Sequence, residues 1–141
     1  MAGEKTFPVE ILTLQKSCLR ESVRFVIAPG QEGVFEILPG HAPYVFALKP
    51  GVVRLHRPDN QDLYLAVGGG FLIVQPEQTT VLARSAERPD EIDAARAERA
   101  KERAEARLAN KTGVIDAARA TAALQRALAR LKVASYVSRV T

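Results

Sequence analysis

The sequence predicts a two-part α+β chain: a β-sandwich or flattened barrel over residues 1–86, then an antiparallel two-helix hairpin over residues 87–141. Two distributions carry this reading. Seven of the eight prolines, eight of the nine glycines and seven of the eight aromatic residues lie before residue 87. From residue 89 onward there are fifteen alanines, the single glycine Gly113 and no proline after Pro89. Short apolar runs broken by Pro and Gly read as strands and turns, whereas long alanine- and charge-rich stretches without breakers read as helices. With 47% hydrophobic and 26% charged residues in 141, the composition is globular.

The first part is a succession of short strands. Val9, Ile11 and Thr13 alternate with Glu10 and Leu12, and Val23, Phe25 and Ile27 alternate with Arg24 and Val26. Further runs cover residues 44–48, 52–56, 63–67, 71–74 and 80–83. Turn signals separate them at Ala28-Pro29-Gly30, Leu38-Pro39-Gly40, Lys49-Pro50-Gly51, Arg57-Pro58-Asp59-Asn60 and Gln75-Pro76-Glu77. Several runs are apolar on both faces, as expected where two sheets pack. Gly68-Gly69-Gly70 reads as a hairpin turn or bulge.

The second part begins at Pro89, which suits a first helical turn, with Asp90, Glu91 and Asp93 complementing the positive helix N-terminus. Asn110 and Gly113 stop one helix and permit a tight link to the next. Ala97, Ala100, Ala104 and Leu108 form a stripe on the first helix, and Ala117, Ala120, Leu124, Leu128 and Leu131 on the second. The hexapeptide Ile92-Asp93-Ala94-Ala95-Arg96-Ala97 recurs as Ile115-Asp116-Ala117-Ala118-Arg119-Ala120, a duplicated helix-initiation pattern. Alanine buries little apolar surface, so at ~25 cal/mol per Å² the seam is weak although each helix forms readily. Strong helices on a weak seam can dock, undock or extend.

Charge is unevenly placed. Residues 1–86 carry eight basic and eight acidic side chains and residues 87–112 seven of each, so the net +4 lies wholly in residues 113–141. There Arg119, Arg126, Arg130, Lys132 and Arg139 face only Asp116. Arg119, Arg126 and Arg130 fall within a helical sector of about 40°. Arg126 and Arg130, four residues apart, repel unless an anion lies between them. Guanidinium forks suit carboxylates or phosphates, while a solvated face or pairing with the acidic residues of the first helix is the plainer alternative.

Several classes drop out. No apolar run reaches the ~18 residues of a membrane-spanning helix, and Met1–Thr6 lacks the layout of a secretory signal. One cysteine, Cys18, excludes an internal disulfide framework, and with two histidines it argues against structural zinc. The chain reads as an intracellular soluble protein or subunit. No phosphate-cradling G-x-x-x-x-G-K-[ST] loop and no G-x-S-x-G elbow is present. His41 lies in a turn between two prolines, where a structural hydrogen bond is expected, and His56 ends a strand with no carboxylate or serine beside it in sequence. Cys18 has one cationic neighbour, Lys16, too little to mark a reactive thiolate. The expectation is a protein with no catalytic residues and no metal.

The run Ala28-Pro29-Gly30-Gln31-Glu32-Gly33, then Ile37-Leu38-Pro39-Gly40-His41-Ala42-Pro43, then Leu48-Lys49-Pro50-Gly51, resembles the epsilon-subunit family of bacterial F-type ATP synthases. Val67-Gly68-Gly69-Gly70-Phe71 and the stretch Ala127-Leu128-Ala129-Arg130-Leu131-Lys132-Val133-Ala134 resemble the family's later segments. The likeness departs at Glu36, where a glycine is usual and a different local turn follows, and beyond Ala134. The resemblance implies a sandwich of about ten strands with a helical hairpin, in a non-catalytic rotor subunit of the central stalk. It implies as partners the gamma subunit, the ring of c subunits and the catalytic alpha and beta subunits, at the cytoplasmic face of the bacterial plasma membrane. It further implies coupling of ion translocation to ATP synthesis, and inhibition of hydrolysis when the hairpin extends. Arg119, Arg126, Arg130 and Lys132 would then meet an acidic segment of the beta subunits.

Some family members bind ATP as a regulatory ligand, with no cofactor required, through an [IL]-D-x-x-R-A motif. Ile92, Asp93, Arg96 and Ala97 match it, Glu87 corresponds to a further contact, and Arg126 and Arg130 fall where phosphate-binding arginines lie. The alternative is that this stretch only starts a helix, as its echo at 115–120 does. Two other functions compete with this one. A nucleic-acid-binding module would use the basic last helix, yet only Tyr136 supplies an aromatic there. A sugar-binding sandwich enzyme would need an acid–base pair that is not visible. No nucleic-acid partner is expected.

Overall fold

Alternation of inward apolar and outward polar side chains builds eight strands: β1 Phe7–Leu12, β2 Ser17–Val23, β3 Phe25–Gly30, β4 Gly33–Ile37, β5 Tyr44–His56, β6 Asp62–Val74, β7 Thr79–Ala83 and β8 Ala86–Glu87. A 3₁₀ turn at Pro89–Glu91 leads to α1, Ala94–Asn110, and α2, Val114–Val140. The computed structural model describes residues 5–110 and 113–140, and within these all side chains but those of residues 114, 115 and 137–140. Lys111 and Thr112 of the expected link, and the side chain of Ile115 that opens the echo, lie outside the described residues.

The strands pair in the order β2-β1-β7-β6-β5-β3-β4, with β8 on β6. All pairs are antiparallel except β1 with β7. One cluster collects Val9, Leu19 and Val23 from one end of this order and Val26 and Ile37 from the other, with Leu55, Leu65, Leu72 and Val81 between. These side chains are buried on the same face of the sheet. A flat sheet would leave that face in water, so the sheet folds over on itself into a sandwich.

Among the described residues there are eight strands, not ten. Lys49-Pro50-Gly51 and Gly68-Gly69-Gly70 do not end strands; they bend β5 and β6, each 13 residues long. The bends coincide, because Pro50 pairs with Gly68 and Gly51 with Val67. Neither glycine group forms a hairpin. Gly69 and Gly70 take φ of 97° and 139°, in the region that favours glycine. The run expected across 23–27 divides at Arg24 into β2 and β3. Glu36 sits inside β4 opposite Ile27, an ordinary strand position, so the different turn expected there does not occur.

Ala28-Pro29-Gly30 is not a turn either: it is the paired end of β3, and the chain reverses at Gln31–Glu32. The turns at Leu38–Gly40, Arg57–Asn60 and Gln75–Glu77 form where the sequence places them. Asn60 adopts a left-handed φ of 68°, and the Gln61 amide donates to Asp59 Oδ1 (3.0 Å). His41 makes the structural contact expected of it: its Nδ1 donates to the Ala42 carbonyl (2.6 Å), and its ring meets Phe46 edge-on.

α1 buries Ala97 and Ala104, with Ala100 and Leu108 half-buried, as the stripe predicts. α2 differs from expectation because it is buried on two sides. Ala129 and Val133 pack on Ala66, with Val52, Tyr64 and Ile92 alongside, in a cluster separate from the main core. Ala120 and Ala127, with half-buried Leu124 and Leu131, lie on roughly the opposite side, where α1 packs. Leu128 falls outside both stripes and is 45% exposed. No helix among the described residues is long and apolar enough to cross a membrane.

Candidate functional site

The start of α1 is built by local hydrogen bonds. Arg88 N–H donates to Glu91 Oε1 (2.9 Å), and Asp93 caps α1 by accepting from the Arg96 backbone N–H (3.1 Å). Ile92 turns inward onto the α2–sandwich cluster. The [IL]-D-x-x-R-A stretch therefore has a complete structural account: one apolar anchor, one cap and Ala97 buried against the hairpin seam.

These residues also border a cleft of about 270 Å³, lined by Glu87, Glu91, Asp93, Arg96, Ala97, Ala100, Arg103 and Arg130. Of the seven residues expected around a nucleotide, five meet here: Glu87, Asp93, Arg96, Ala97 and Arg130. Ile92 and Arg126 do not. Arg126 lies on the sandwich side of α2, its Cδ 3.6 Å from where a Cβ on Gly68 would stand. Glu91 and Arg103 enter the cleft unforeseen. Arg103 is ten residues from Asp93, and its place on the same helix face as Ala100 was the available signal. The lining carries three carboxylates and three guanidinium groups, so its charges balance. Arg130 Nε already donates to Glu87 Oε1 (2.5 Å), which ties α2 to the end of β8.

The four cations expected to meet an acidic partner separate in this arrangement. Arg119 and Lys132 are exposed. Arg126 and Arg130 are half-buried on the face of α2 that lies on the sandwich, Arg130 occupied by Glu87. α2, packed on the sandwich, thus hides part of its own basic surface.

A second charged group lies where β5 and β6 join. Asp62 takes His56 Nδ1 on one oxygen (2.7 Å) and Arg54 on the other (2.9 Å). Burial alone would raise the Asp62 carboxyl, but the hydrogen bonds from His56 and Arg54 outweigh it and hold the group below the usual carboxylate range. The hydrogen bond to Asp62 raises Arg54 against the opposing effect of burial. Sequence adjacency gave no carboxylate partner for His56; strand pairing supplies one, since His56 faces Asp62 in the β5–β6 register. Nearby, Arg57 grips Glu21 with two hydrogen bonds (2.7 and 3.2 Å).

The sandwich also presents uncovered apolar side chains. Leu12, Leu82, Phe71 and Ala47 are register partners across β1, β7, β6 and β5. Phe71 is 51% and Leu82 42% exposed, and Val45, beside Ile73 one row away, is exposed as well. At the end of the sheet, stacked Phe35 and Phe46 (3.9 Å) with Tyr44 border a cleft of about 410 Å³.

Residues 6–89 match the β-sandwich domain of the ATP synthase delta/epsilon chain, and residues 90–135 match the long α-helix domain of the same chain. The chain belongs to the ATP synthase delta/epsilon family. Within it, the chain is 48% identical over 106 residues to the ATP synthase epsilon chain of Pelotomaculum thermopropionicum, covering 75% of this chain and 78% of that one. It is 47% identical over 104 residues to the epsilon chain of Anoxybacillus flavithermus, covering 74% and 77%. The fold is also similar to a chain of the Euglena gracilis mitochondrial ATP synthase, solved as OSCP/F1/c-ring in rotational state 1. That likeness has a TM-score of 0.76 at 21% identity, over 95% of this chain and 86% of that one. The family is thus that of a non-catalytic ATP synthase subunit, and this chain is of its epsilon type.

Proposed function

We propose that this chain is the epsilon-type rotor subunit of a bacterial F-type ATP synthase, which couples ion translocation to ATP synthesis and restrains hydrolysis through its helices. The sandwich anchors to the gamma subunit and the c-ring, using the apolar row of Leu82 and Phe71 and the aromatic end around Phe46. The two helices form an antiparallel hairpin that docks on the sandwich or extends along gamma towards the catalytic alpha and beta subunits. The complex sits at the cytoplasmic face of the plasma membrane, and residues 1–86 and 87–141 are its anchoring and regulatory parts.

The observation that carries the regulatory half is the hidden basic face. Arg126 and Arg130 are turned to the sandwich, with Arg130 neutralised by Glu87. Undocking uncovers both, and together with Arg119 and Lys132 they form the surface for an acidic segment of beta. The hairpin is free to move because its buried contact with the sandwich is small, Ala66, Ala129 and Val133 with Val52, Tyr64 and Ile92 alongside, and apart from the main core. The first test is complex formation. The chain and a purified gamma subunit should elute together, and a complex that survives removal of residues 1–86 overturns the assignment of the sandwich as anchor.

ATP is the regulatory ligand this reading assigns to the Glu87–Arg130 cleft. Its phosphates would take Arg130 from Glu87, while Asp93, exposed at the start of α1, accepts from the base or sugar. At about 270 Å³ the cleft is just under the ~300–1,000 Å³ usual for small-molecule sites, so it must open somewhat to admit a nucleotide. Calorimetric titration should give saturable binding that is lost in the Arg126→Ala/Arg130→Ala variant, with folding intact. Absence of heat at millimolar ATP would leave Ile92–Ala97 as a helix start alone.

A further inference from the structure

α2 lies along β6 and runs against its direction. Arg126 sits at Gly68, Ala129 and Val133 at Ala66, and Tyr136 at Tyr64. Ten helical residues rise about 15 Å and four strand residues about 13 Å, so the two elements stay in step. Arg130 shares the cleft with Asp93 and Ala97 and is therefore level with the start of α1. Tyr136 lies about 9 Å further along α2. This end of the helix is past the α1 seam and rests on the sandwich.

Its contact there is aromatic. The Tyr64 and Tyr136 rings stack face to face at 3.7 Å with an interplanar angle of 9°. The rest of the contact cluster consists of Ala66, Ala129 and Val133, with Val52 and Ile92. Buried aromatic rings contribute far more apolar area than alanine methyls, and a ring pair adds attraction beyond its area. Tyr64 stands on a stiff platform. It pairs across the sheet with Arg54, whose guanidinium is fixed by Asp62 and lies 5.5 Å from the Phe25 ring centroid. Phe25 in turn stacks on His56, the other partner of Asp62.

We propose that the Tyr64–Tyr136 stack is the latch that holds the end of α2 on the sandwich, and that losing either ring releases the helix while the main core stays intact. The regulatory meaning of this release rests on the rotor reading above; the latch itself is a property of the isolated chain. Glu87–Arg130 is a second point of attachment about nine ångströms away, so the latch sets the release of the helix end and the ion pair does not replace it.

The test is limited trypsin digestion of the full-length chain, following cleavage after Arg126, Arg130 and Lys132 against cleavage after Arg24 and Arg54 in the sandwich. When opening is fast, cleavage follows the open population. Tyr136→Ala should speed cleavage in α2 about three- to tenfold and leave the sandwich sites unchanged. Tyr136→Phe, which keeps the ring, should stay within about twofold of the parent. Tyr64→Ala should speed α2 cleavage at least as much as Tyr136→Ala, because Tyr64 also packs on the Ala66 cluster. The double variant should add little to Tyr64→Ala, because both remove the same ring pair. Parental cleavage rates in Tyr136→Ala, or effects of the two alanines that multiply, overturn the latch. If Tyr64→Ala also opens the sandwich sites, the Tyr136→Ala and Tyr136→Phe pair decides. Loss of gamma binding by the parent chain would overturn the rotor reading and leave this result standing.

Discussion

Gly70→Ala should cost the sandwich about 3–5 kcal/mol, a large share of the ~5–15 kcal/mol that usually holds a domain together. Two penalties add at this position. The backbone has φ of 139°, which an alanine adopts only under strain. The added methyl would also stand 2.0 Å from the Leu82 carbonyl oxygen and 3.0 Å from the Ala83 Cα. Those are backbone atoms of β7, paired to β6, and cannot rotate away as a side chain does. Gly40→Ala isolates the first penalty, for its φ is 81° and no atom lies within 4 Å of the added methyl. It should cost only about 1–2 kcal/mol. Urea unfolding followed by far-ultraviolet circular dichroism measures both. Equal losses at the two positions would show that β7 yields and that the close approach is not what fixes glycine at 70.

Phe71→Asp should leave the isolated chain folded, with a stability change below about 1 kcal/mol, and weaken binding to gamma at least thirtyfold. The first expectation follows from the 51% exposure of Phe71. The second follows from its place in the middle of the apolar row, between Leu82 and Ala47. An aromatic residue at the centre of an interface is commonly worth 2 kcal/mol or more, and aspartate would bury an unpaired charge there besides. Calorimetry with purified gamma gives the affinity, and chemical denaturation of the free chain gives the stability. Unchanged affinity would move the docking surface away from this face, to the aromatic end where Phe35 and Phe46 stack.

What could be read from the residue string is what depends on near neighbours. Helices follow from alanine, charge spacing and the Asn110 and Gly113 punctuation, all local effects. Pro89, expected to open the first helix, opens a separate 3₁₀ turn instead, and α1 starts at Ala94 after the Asp93 cap. The Arg57–Asn60 and Gln75–Glu77 turns follow from residues that bend their own backbone. Ser17–Val23 and Gly33–Ile37 escaped notice because their outward positions are polar or exposed and each buries only one or two side chains fully. Lys49-Pro50-Gly51 and Gly68-Gly69-Gly70 were readable as irregular but not as bends. A turn and a bend use the same residues, and the choice falls to the partner strand, which here carries its own flexible segment at the same height.

The site divides in the same way. The two-part architecture, the epsilon-type resemblance, the basic last helix, and the candidacy of Glu87, Asp93, Arg96 and Arg130 are legible in the residue string. It took the packing of distant elements to bring Arg130 to Glu87, turn Arg126 to Gly68, set His56 and Arg54 on one Asp62, and rest Tyr136 on Tyr64. Helical periodicity fixes which residues share a face, but not what that face is set against. α2 is covered on two sides, by α1 and by the sheet; a rotation of about 180° about its axis would exchange their contents, and one of about 100°, a single-residue shift, would already turn both faces away from their partners. That rotation is set by the alanine and valine packing on Ala66 and by the stacking of two tyrosines 72 residues apart in sequence.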